Sequence, residues 1–465
     1  MEELTVEEII TATDGKLLSG NLQAKISNIT IDSRRVKAND LFIALKGKNQ
    51  DGHKFISEAI SKGAIGAIVT HPPKVNNLLK AKNIILIKVK DTTEALGNIA
   101  RYYRTKFNPL VIAVTGSNGK TTTKEMIASI LERRMKVVKA KDSYNNDIGV
   151  PLTVLELNSQ TEVLILEMEM NILGGIRRLA QIAKPQIGVV TNIGDTHLEF
   201  LGNRENVMRE KAELVESLGQ NGTCILNADD ELVKTIGDKF PMTTKSTFGI
   251  ENPAEVFAQR IIDLVTEGSH FLLQGKYRVH LSAIGRHNIY NALAAIATAL
   301  KVGMDFAEIV TGIENFKPLA QRSEIIKVKD LIIINDTYNA NPQSMAMALE
   351  TLSKIITERR ICVFGDMLEL GDQSQIFHYQ LGAQAAKIAD LIIAIGKFSP
   401  LVMQGALKAG ADPQNVSAYE DNEKALTKLI DIIKPKDTIL IKGSRKMCLE
   451  ELVLGIKAYY EKKTN

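Results

Sequence analysis

Residues 110–126, "LVIAVTGSNGKTTTKEM", restrict the fold more than any other stretch of this chain. An apolar run ends in a glycine-containing turn and passes directly into a helix-forming segment. A buried strand that hands a glycine loop to a helix N-terminus belongs to an α/β sheet, where strand ends and helix dipoles meet at one edge. The full phosphate-loop pattern is GxxxxGK[ST]. Gly119, Lys120 and Thr121 fit its last three positions, whereas Val114 stands where the first glycine belongs. Gly116 and Gly119 permit backbone angles that turn amide groups inward. Lys120 is then placed to reach β- and γ-phosphates, and the Thr121 hydroxyl to ligate Mg²⁺. An ordinary strand-to-helix turn explains the glycines but not the Gly-Lys-Thr-Thr run. The expectation is a nucleoside triphosphate site built from Thr115, Gly116, Ser117, Asn118, Gly119, Lys120, Thr121 and Thr122.

A chain of 465 residues exceeds one core, so two or three domains are expected. Residues 1–106 mix a short helix with brief strands ("KISNITI", "DLFIAL", "GAIGAIVT", "NIILIKV") and read as a small α/β module. "RYYRTKFNP" then leads through Pro109 into the loop strand. Over 107–318 strands and helices alternate ("EVLILEM", "GGIRRLAQIA", "IGVVTNI", "TCILN"), which implies a helix-covered parallel sheet. A β meander is expected over 255–283. Over 319–465 a second alternating series ("EIIKVKDLIIIND", "RICVFGD", "LIIAIG", "TILIKGS") predicts another parallel sheet, and two such sheets enclose a cleft that can open and shut.

With 58 basic and 54 acidic residues spread along the chain, the net charge of +4 argues against a dedicated nucleic-acid binder. Cys224, Cys362 and Cys448 lie far apart without a CxxC pair, which fits a reducing compartment. The acidic start "MEELTVEEIITATDG" lacks a signal-peptide layout, and no apolar run approaches the roughly 20 residues of a membrane span. A cytoplasmic monomer is the expectation.

Two further residues belong with metal chemistry. "VLILEM" ends on Glu167, and "TNIGDTHLEF" delivers His197 just past another strand end. A hard Mg²⁺ suits the carboxylate, while the imidazole marks a second metal position or an acid/base role.

"TGSNGKTTTK", with its shortened loop and tandem threonines, resembles the ATP-binding signature of the Mur ligases of peptidoglycan synthesis. "DSRRVKANDLFIALKG", "DGHKFI", "YNNDIGVPLTVL", "TNIGDTHLEFLG", "GRHNIYNALAAIA", "NDTYNANPQSM", "FGDMLELG" and "LIKGSRKM" extend the resemblance over nearly the whole chain, in order. It implies an N-terminal UDP-substrate module, a central P-loop ATPase domain and a C-terminal Rossmann-like domain. The implied reaction uses ATP and Mg²⁺ to join a carboxylate to an amine through an acyl phosphate. "DTYNANPQSM" and "GDMLELG" point to UDP-N-acetylmuramoyl-tripeptide and D-alanyl-D-alanine as the substrates. By resemblance, Lys120 stabilises the transferring phosphoryl group, and Thr121, Glu167 and His197 hold metal. Lys211 in "NVMREKAELV" matches a lysine carbamylated in several relatives and so a further metal ligand, although local sequence alone reads it as a solvated helix lysine. The resemblance further implies that Asn288 and Asn291, three apart on one helix face, lie near the nucleotide, that Arg322 contacts phosphate at the hinge, and that Asp336 meets ATP from the C-terminal domain. Ser33, with Arg34 and Arg35, is assigned to the uridine diphosphate end. Asn145 and Asn146 face the peptide or diphosphate, and Tyr338, Asn339 and Asn341 face the dipeptide. Relatives usually carry a small residue where Glu169 stands and glycine where Gln321 stands.

The rival readings are a third-residue-adding ligase, a folylpolyglutamate synthase and a non-catalytic nucleotide switch. A folate enzyme should lack the "DSRR…FIALKG" module, and a switch needs no second substrate cleft.

Overall fold

The structure is a computed structural model, and it describes residues 1–47, 50–72 and 84–462. Three principal sheets organise it. The largest has nine strands, with Leu110–Thr115 flanked by Val163–Glu167 on one side and Ile187–Val190 on the other. All three run parallel. Buried strands of this kind read as continuous apolar β-branched runs, which is why "LVIAV", "VLIL" and "IGVV" lack any polar alternation.

Register fixes what stands at the ligand edge. Glu167 lies opposite Val114 and Val190 opposite Thr115, so three strands finish level with the start of the glycine loop. Thr223–Asn227, Thr244–Gly249 and Val256–Asp263 extend the sheet in parallel. The expected meander then follows: Val256–Asp263, Ser269–Leu273 and Tyr277–Leu281 pair antiparallel at the edge of this same sheet.

The second sheet has six strands in the order Glu324–Val328, Leu331–Asp336, Asp437–Lys442, Arg359–Gly365, Leu391–Ile395, Val416–Tyr419. Its pairings are parallel except the first. "EIIKVKDLIIIND" is therefore a hairpin turning at Lys329 and Asp330, not one element of a parallel series. The parallel pairing of Leu331–Asp336 with Asp437–Lys442 sets Asp336 opposite Lys442 at the strand ends. The third sheet pairs Asn28–Thr30, Asp40–Ile43, Gly66–Val69 and Ile85–Lys88 in parallel, with Lys16–Ser19 antiparallel at its edge.

The connection between the third and largest sheets is more structured than "RYYRTKFNP" suggests. The helix Thr92–Arg104 runs through its first half, capped by Asp91, whose side chain accepts from the amides of Thr93 and Glu94. Its apolar face buries Leu96, Ile99, Ala100 and Tyr103 in a cluster shared with Val150, Leu179 and Ile182 of the large sheet's helices. Tyr103 donates its hydroxyl to the Leu157 carbonyl at 2.7 Å and accepts from the Glu2 amide at 2.7 Å. Arg104 donates to the carbonyls of Ala183 and Phe107. A second apolar cluster joins Val190, Ile193 and Val207 of the large sheet's layer to Met345, Leu349 and Phe364 of the six-stranded unit. The six-stranded unit is thus packed directly against the ligand edge of the large sheet.

Tyr103→Phe should destabilise the protein by about 2 kcal/mol, since it strips a buried carbonyl and an amide of their shared partner. Urea unfolding measures this, and a loss below about 0.5 kcal/mol would show that solvent satisfies both groups.

Candidate active site

The helix Lys120–Leu131 starts directly from Gly119, whose φ of 83° lies in the left-handed region, and no side chain caps its first turn. Its first amides are therefore available to an anion, reinforced by the helix dipole. Neighbouring atoms make both loop glycines obligatory. A Cβ on Gly116 would lie 2.0 Å from Thr191 Oγ1, and one on Gly119 would lie 2.1 Å from Asn291 Oδ1. The loop is held from outside as well. Ser117 and Asn118 donate their amides to the Asn192 carbonyl and to Asn192 Oδ1, and Thr191 Oγ1 donates to the Asn118 carbonyl at 2.6 Å.

Lys120 is buried and folds back over the loop. Its Nζ donates to the Gly116 carbonyl at 2.8 Å and to Glu169 Oε1 at 2.6 Å. Thr121 Oγ1 donates to Glu167 Oε2 at 2.7 Å and accepts from Arg322 Nη2 at 2.9 Å. Asn145 Nδ2 donates to Glu167 Oε1 at 2.8 Å. His197, with a φ of 54°, bridges two carboxylates through Glu169 Oε1 at 3.2 Å and Glu369 Oε2 at 2.6 Å. Burial disfavours its charged form, but the bonds to Glu169 and Glu369 outweigh that and push its pKa up to about 9. Burial likewise works to neutralise Glu169, yet Lys120 and then His197 hold its carboxyl well below the usual range.

Lys211 is fully buried on the helix Arg204–Leu218, not the solvated lysine that local sequence suggests. Its Nζ lies 2.7 Å from the equally buried Glu210 Oε2, although neither atom completes an aligned hydrogen bond. Burial lowers its pKa, but the Glu210 and Glu169 carboxylates outweigh that and keep it an ammonium. Burial also raises the pKa of Glu210, so its shift favours a neutral carboxyl where that of Lys211 favours the ion pair. The Lys211 ammonium is the firmer of the two, because the Glu210, Glu169 and Glu167 carboxylates all act on it.

The six-stranded unit closes over this edge, leaving a cleft of about 370 Å³ between the two. Asn341 Nδ2 donates to Asn118 Oδ1 at 2.7 Å, and Asn118 Nδ2 donates to Gln343 Oε1 at 2.8 Å. Tyr338 hydrogen-bonds Ser143, and its ring stacks under Arg322 with the guanidinium carbon 3.8 Å from the centroid. Gln321 has a φ of 60°, a conformation glycine adopts freely, and its carbonyl accepts from the Tyr338 amide. Asp336 accepts from the Ser323 amide and pairs with Lys442 Nζ at 2.7 Å, while Lys442 also donates to the Asn339 carbonyl. Asn288 and Asn291 hydrogen-bond each other at 3.0 Å beneath Gly119.

Most sequence-selected residues thus meet in one cleft. Asn146 instead accepts from the amides of Ile148 and Gly149, which steadies the start of the helix Gly149–Val154. Ser33 donates to Glu58 at 2.9 Å in the N-terminal sheet unit, outside this cleft, and Arg34 and Arg35 beside it are exposed next to Asp32. Residues that sequence reasoning left without a role include Ser143, Glu369 and Lys442. Their signal was present only in the segments around them, since nothing local distinguishes them.

Donor chemistry suits a divalent cation. Thr121 and Glu167 set hard oxygen donors side by side, and Glu169 and His197 follow within hydrogen-bond reach of one another. Among the described residues no three acidic, histidine or cysteine side chains already converge as a coordination shell, and Lys120 and Asn145 donate to the Glu169 and Glu167 oxygens.

Free amides, a lysine and a metal-suited edge under a second sheet are what phosphoryl transfer from a nucleotide requires, and they place the chain among α/β enzymes of that class. Comparison specifies the family. Residues 25–104, 114–299 and 321–445 match the Mur ligase family catalytic domain, the Mur ligase middle domain and the Mur ligase glutamate ligase domain. The chain is 35% identical to the UDP-N-acetylmuramoyl-tripeptide–D-alanyl-D-alanine ligase of Bacillus subtilis, covering 97% of this chain and 98% of that protein. The structure of MurF from Acinetobacter baumannii is 33% identical with a TM-score of 0.90, covering 98% and 99% of the two chains. That of the Thermotoga maritima MurF ligase in complex with ADP is 27% identical with a TM-score of 0.81, covering 94% and 98%. The chain belongs to the Mur ligase family.

Two outcomes follow from the geometry. Gly119→Ala should weaken ADP binding by about tenfold or more in calorimetry, because a Cβ there forces Asn291 aside and strains the loop. The second concerns pH. His197 titrates near 9 when folded and near 6.5 otherwise, so its bridge is complete below about 6.5 and is lost as pH rises through 9. The melting temperature of metal-free, nucleotide-free protein should fall between those pH values, and His197→Asn should flatten the fall.

Proposed function

We infer that this chain is an ATP-dependent ligase that joins a carboxylate of UDP-N-acetylmuramoyl-tripeptide to the amine of D-alanyl-D-alanine, giving ADP and phosphate. The observation that carries this reading is the closure of the six-stranded unit over the phosphate loop through the Asn118–Asn341 and Thr121–Arg322 contacts. A switch that only senses nucleotide has no use for a second sheet with its own charged strand ends at the phosphates. An enzyme that must bring an amine to an activated acid does.

In the first step a carboxylate oxygen of the tripeptide attacks the γ-phosphorus. A new O–P bond forms, the bond to the β-phosphate oxygen breaks, and ADP leaves. Charge gathers on the transferring oxygens, where the amides of residues 119–122 and the Lys120 ammonium are aimed. Arg322, held flat on Tyr338, adds a second cation from the hinge side. In the second step the dipeptide amine attacks the acyl carbon, loses a proton, and the tetrahedral intermediate expels phosphate. Mg²⁺, when bound through Thr121, Glu167 and His197, supplies further positive charge at the phosphates.

Asn288 and Asn291 lie on the nucleotide side of the loop, and Asp336 approaches ATP from the six-stranded unit. Tyr338, Asn339 and Asn341 face the dipeptide. Asn145 faces the tripeptide carboxylate beside Glu167, and the N-terminal sheet with Ser33 takes the uridine diphosphate end. Lys211 is assigned to the charge balance of this pocket, and a carbamate there requires release from Glu210. Three segments, 1–106, 107–318 and 319–465, divide these tasks.

The chain is further assigned to the cytoplasm as a monomer. Nucleotide-linked precursors are water-soluble, and Cys224, Cys362 and Cys448 are unpaired thiols, as a reducing compartment requires. Among the described residues no helix is long and apolar enough to cross a membrane.

With UDP-N-acetylmuramoyl-tripeptide, ATP and Mg²⁺, D-alanyl-D-alanine should give one ADP and one phosphate per amide bond, and single amino acids should give none. Lys120→Ala should lower kcat by about 10²–10³-fold, the scale of losing one charge-stabilising donor. Coupling by the variant at the unaltered rate, or equal use of free amino acids, would overturn the assignment.

A further inference from the structure

Glu169 is the charged group at the phosphate loop to which the reaction above gives no part. It follows Glu167, the last residue of its strand, by two residues, and Asn145 Nδ2 reaches both carboxylates, at 2.8 and 3.3 Å. Its amide donates to the Asn145 carbonyl at 2.9 Å, which fixes the backbone there. Its Oε1 lies 2.6 Å from Lys120 Nζ and 3.2 Å from His197 Nε2, and its Oε2 accepts from Asn145 Nδ2 at 3.3 Å. The other partners of Lys120 are the Gly116 and Ser117 carbonyls. One carboxylate oxygen therefore takes the charge-assisted bond from Lys120 that a phosphate oxygen needs.

A nucleotide arriving alone must displace this carboxylate and then sit beside it, two anions in a buried pocket. Neutralising the displaced group removes that conflict. His197 serves only in part, because Glu369 engages its other nitrogen at 2.6 Å. The nearby Lys211 ammonium is already committed to Glu210. A divalent cation entering with the nucleotide meets the need.

Resting on the ligase reading, we propose that Glu169 couples nucleotide binding to divalent-cation binding. It holds Lys120 as an internal anion before nucleotide arrives, and it yields Lys120 to the phosphates when a cation takes up its charge. Glu169 is thus a positioning residue for Lys120, and it makes nucleotide capture conditional on metal.

Calorimetric titration with ADP and with a non-hydrolysable ATP analogue, in EDTA and in Mg²⁺, tests this on the full chain. The native protein should bind metal-free nucleotide weakly and gain strongly with Mg²⁺. In Glu169→Gln, metal-free binding should tighten by about tenfold or more, the worth of a buried charge-assisted bond, and the Mg²⁺ gain should shrink correspondingly. On a Lys120→Ala background the same substitution should tighten metal-free binding by clearly less than it does in the native background, since the anion repulsion remains but the competition for Lys120 is gone. Glu169→Ala should behave as Glu169→Gln does, with thermal unfolding reporting the fold of each. An unchanged Mg²⁺ gain in both Glu169 variants overturns the coupling while leaving the ligase reading intact. Absence of nucleotide binding by the native protein both in EDTA and in Mg²⁺ overturns both.

Discussion

A buried ammonium at the end of a parallel sheet governs this structure. Lys120 is almost enclosed, and an ion so placed is costly unless anionic or carbonyl oxygens surround it. The loop supplies two carbonyls and Glu169 a carboxylate. Every neighbouring feature serves that arrangement. Level strand ends bring Glu167 beside Thr121, the left-handed Gly119 lets the helix begin with uncapped amides, and Asn291 fills the volume that any larger residue at 119 would need. Loop strain and helix dipole would be liabilities in a purely structural turn. Here they define a seat for negative charge.

That seat is not complete within one sheet. Asn118, at the loop's apex, is gripped by Asn341 and Gln343 from the helix Pro342–Ser353. Asn341 also caps that helix by accepting from the Ser344 amide. One side chain therefore ends a helix in one unit and holds the phosphate loop of the other. Arg322 acts similarly between Tyr338 and Thr121. A shared apolar cluster, with Val190, Ile193 and Val207 on one side and Met345, Leu349 and Phe364 on the other, backs these polar contacts.

How much of this was legible in the sequence depends on how local each signal is. The strand–loop–helix unit at 110–126 and the Glu167 strand end follow from short-range pattern, and the structure places them side by side as the register requires. The hairpin at 324–336 and the edge strand Val416–Tyr419 were misread or missed, because pattern does not report strand direction and a four-residue edge strand is too short to show. Lys442 and Glu369 sit in segments that carry the family resemblance but were not themselves singled out, since each gains meaning only from a partner far along the chain, Asp336 and His197. Lys211 is the sharpest case. Local sequence reads it as a solvated helix lysine, yet it lies on the buried face of a helix whose Glu205, Arg209 and Glu216 stay exposed, at zero exposure beside Glu210. Local sequence cannot report that packing, and only the family resemblance singled Lys211 out.

Charge balance supplies the last step. Lys120 is matched by Glu169, Lys211 by Glu210, Lys442 by Asp336, and a protonated His197 lies between Glu169 and Glu369. Arg322 rests on an aromatic face and a hydroxyl. A triphosphate entering such a cleft adds several negative charges beside Lys120, Lys211 and Lys442, which are already paired, and in a low-dielectric site the mismatch cannot be left to solvent. Either the internal pairs must rearrange or positive charge must enter with the ligand. Those pairs join the two halves of the cleft at Glu369 and His197, so whatever rebalances the charge also bears on how tightly the halves hold together. Nucleotide, cation and closure are in that sense one electrostatic problem, and the side chains around Lys120 are arranged so that none is solved without the others.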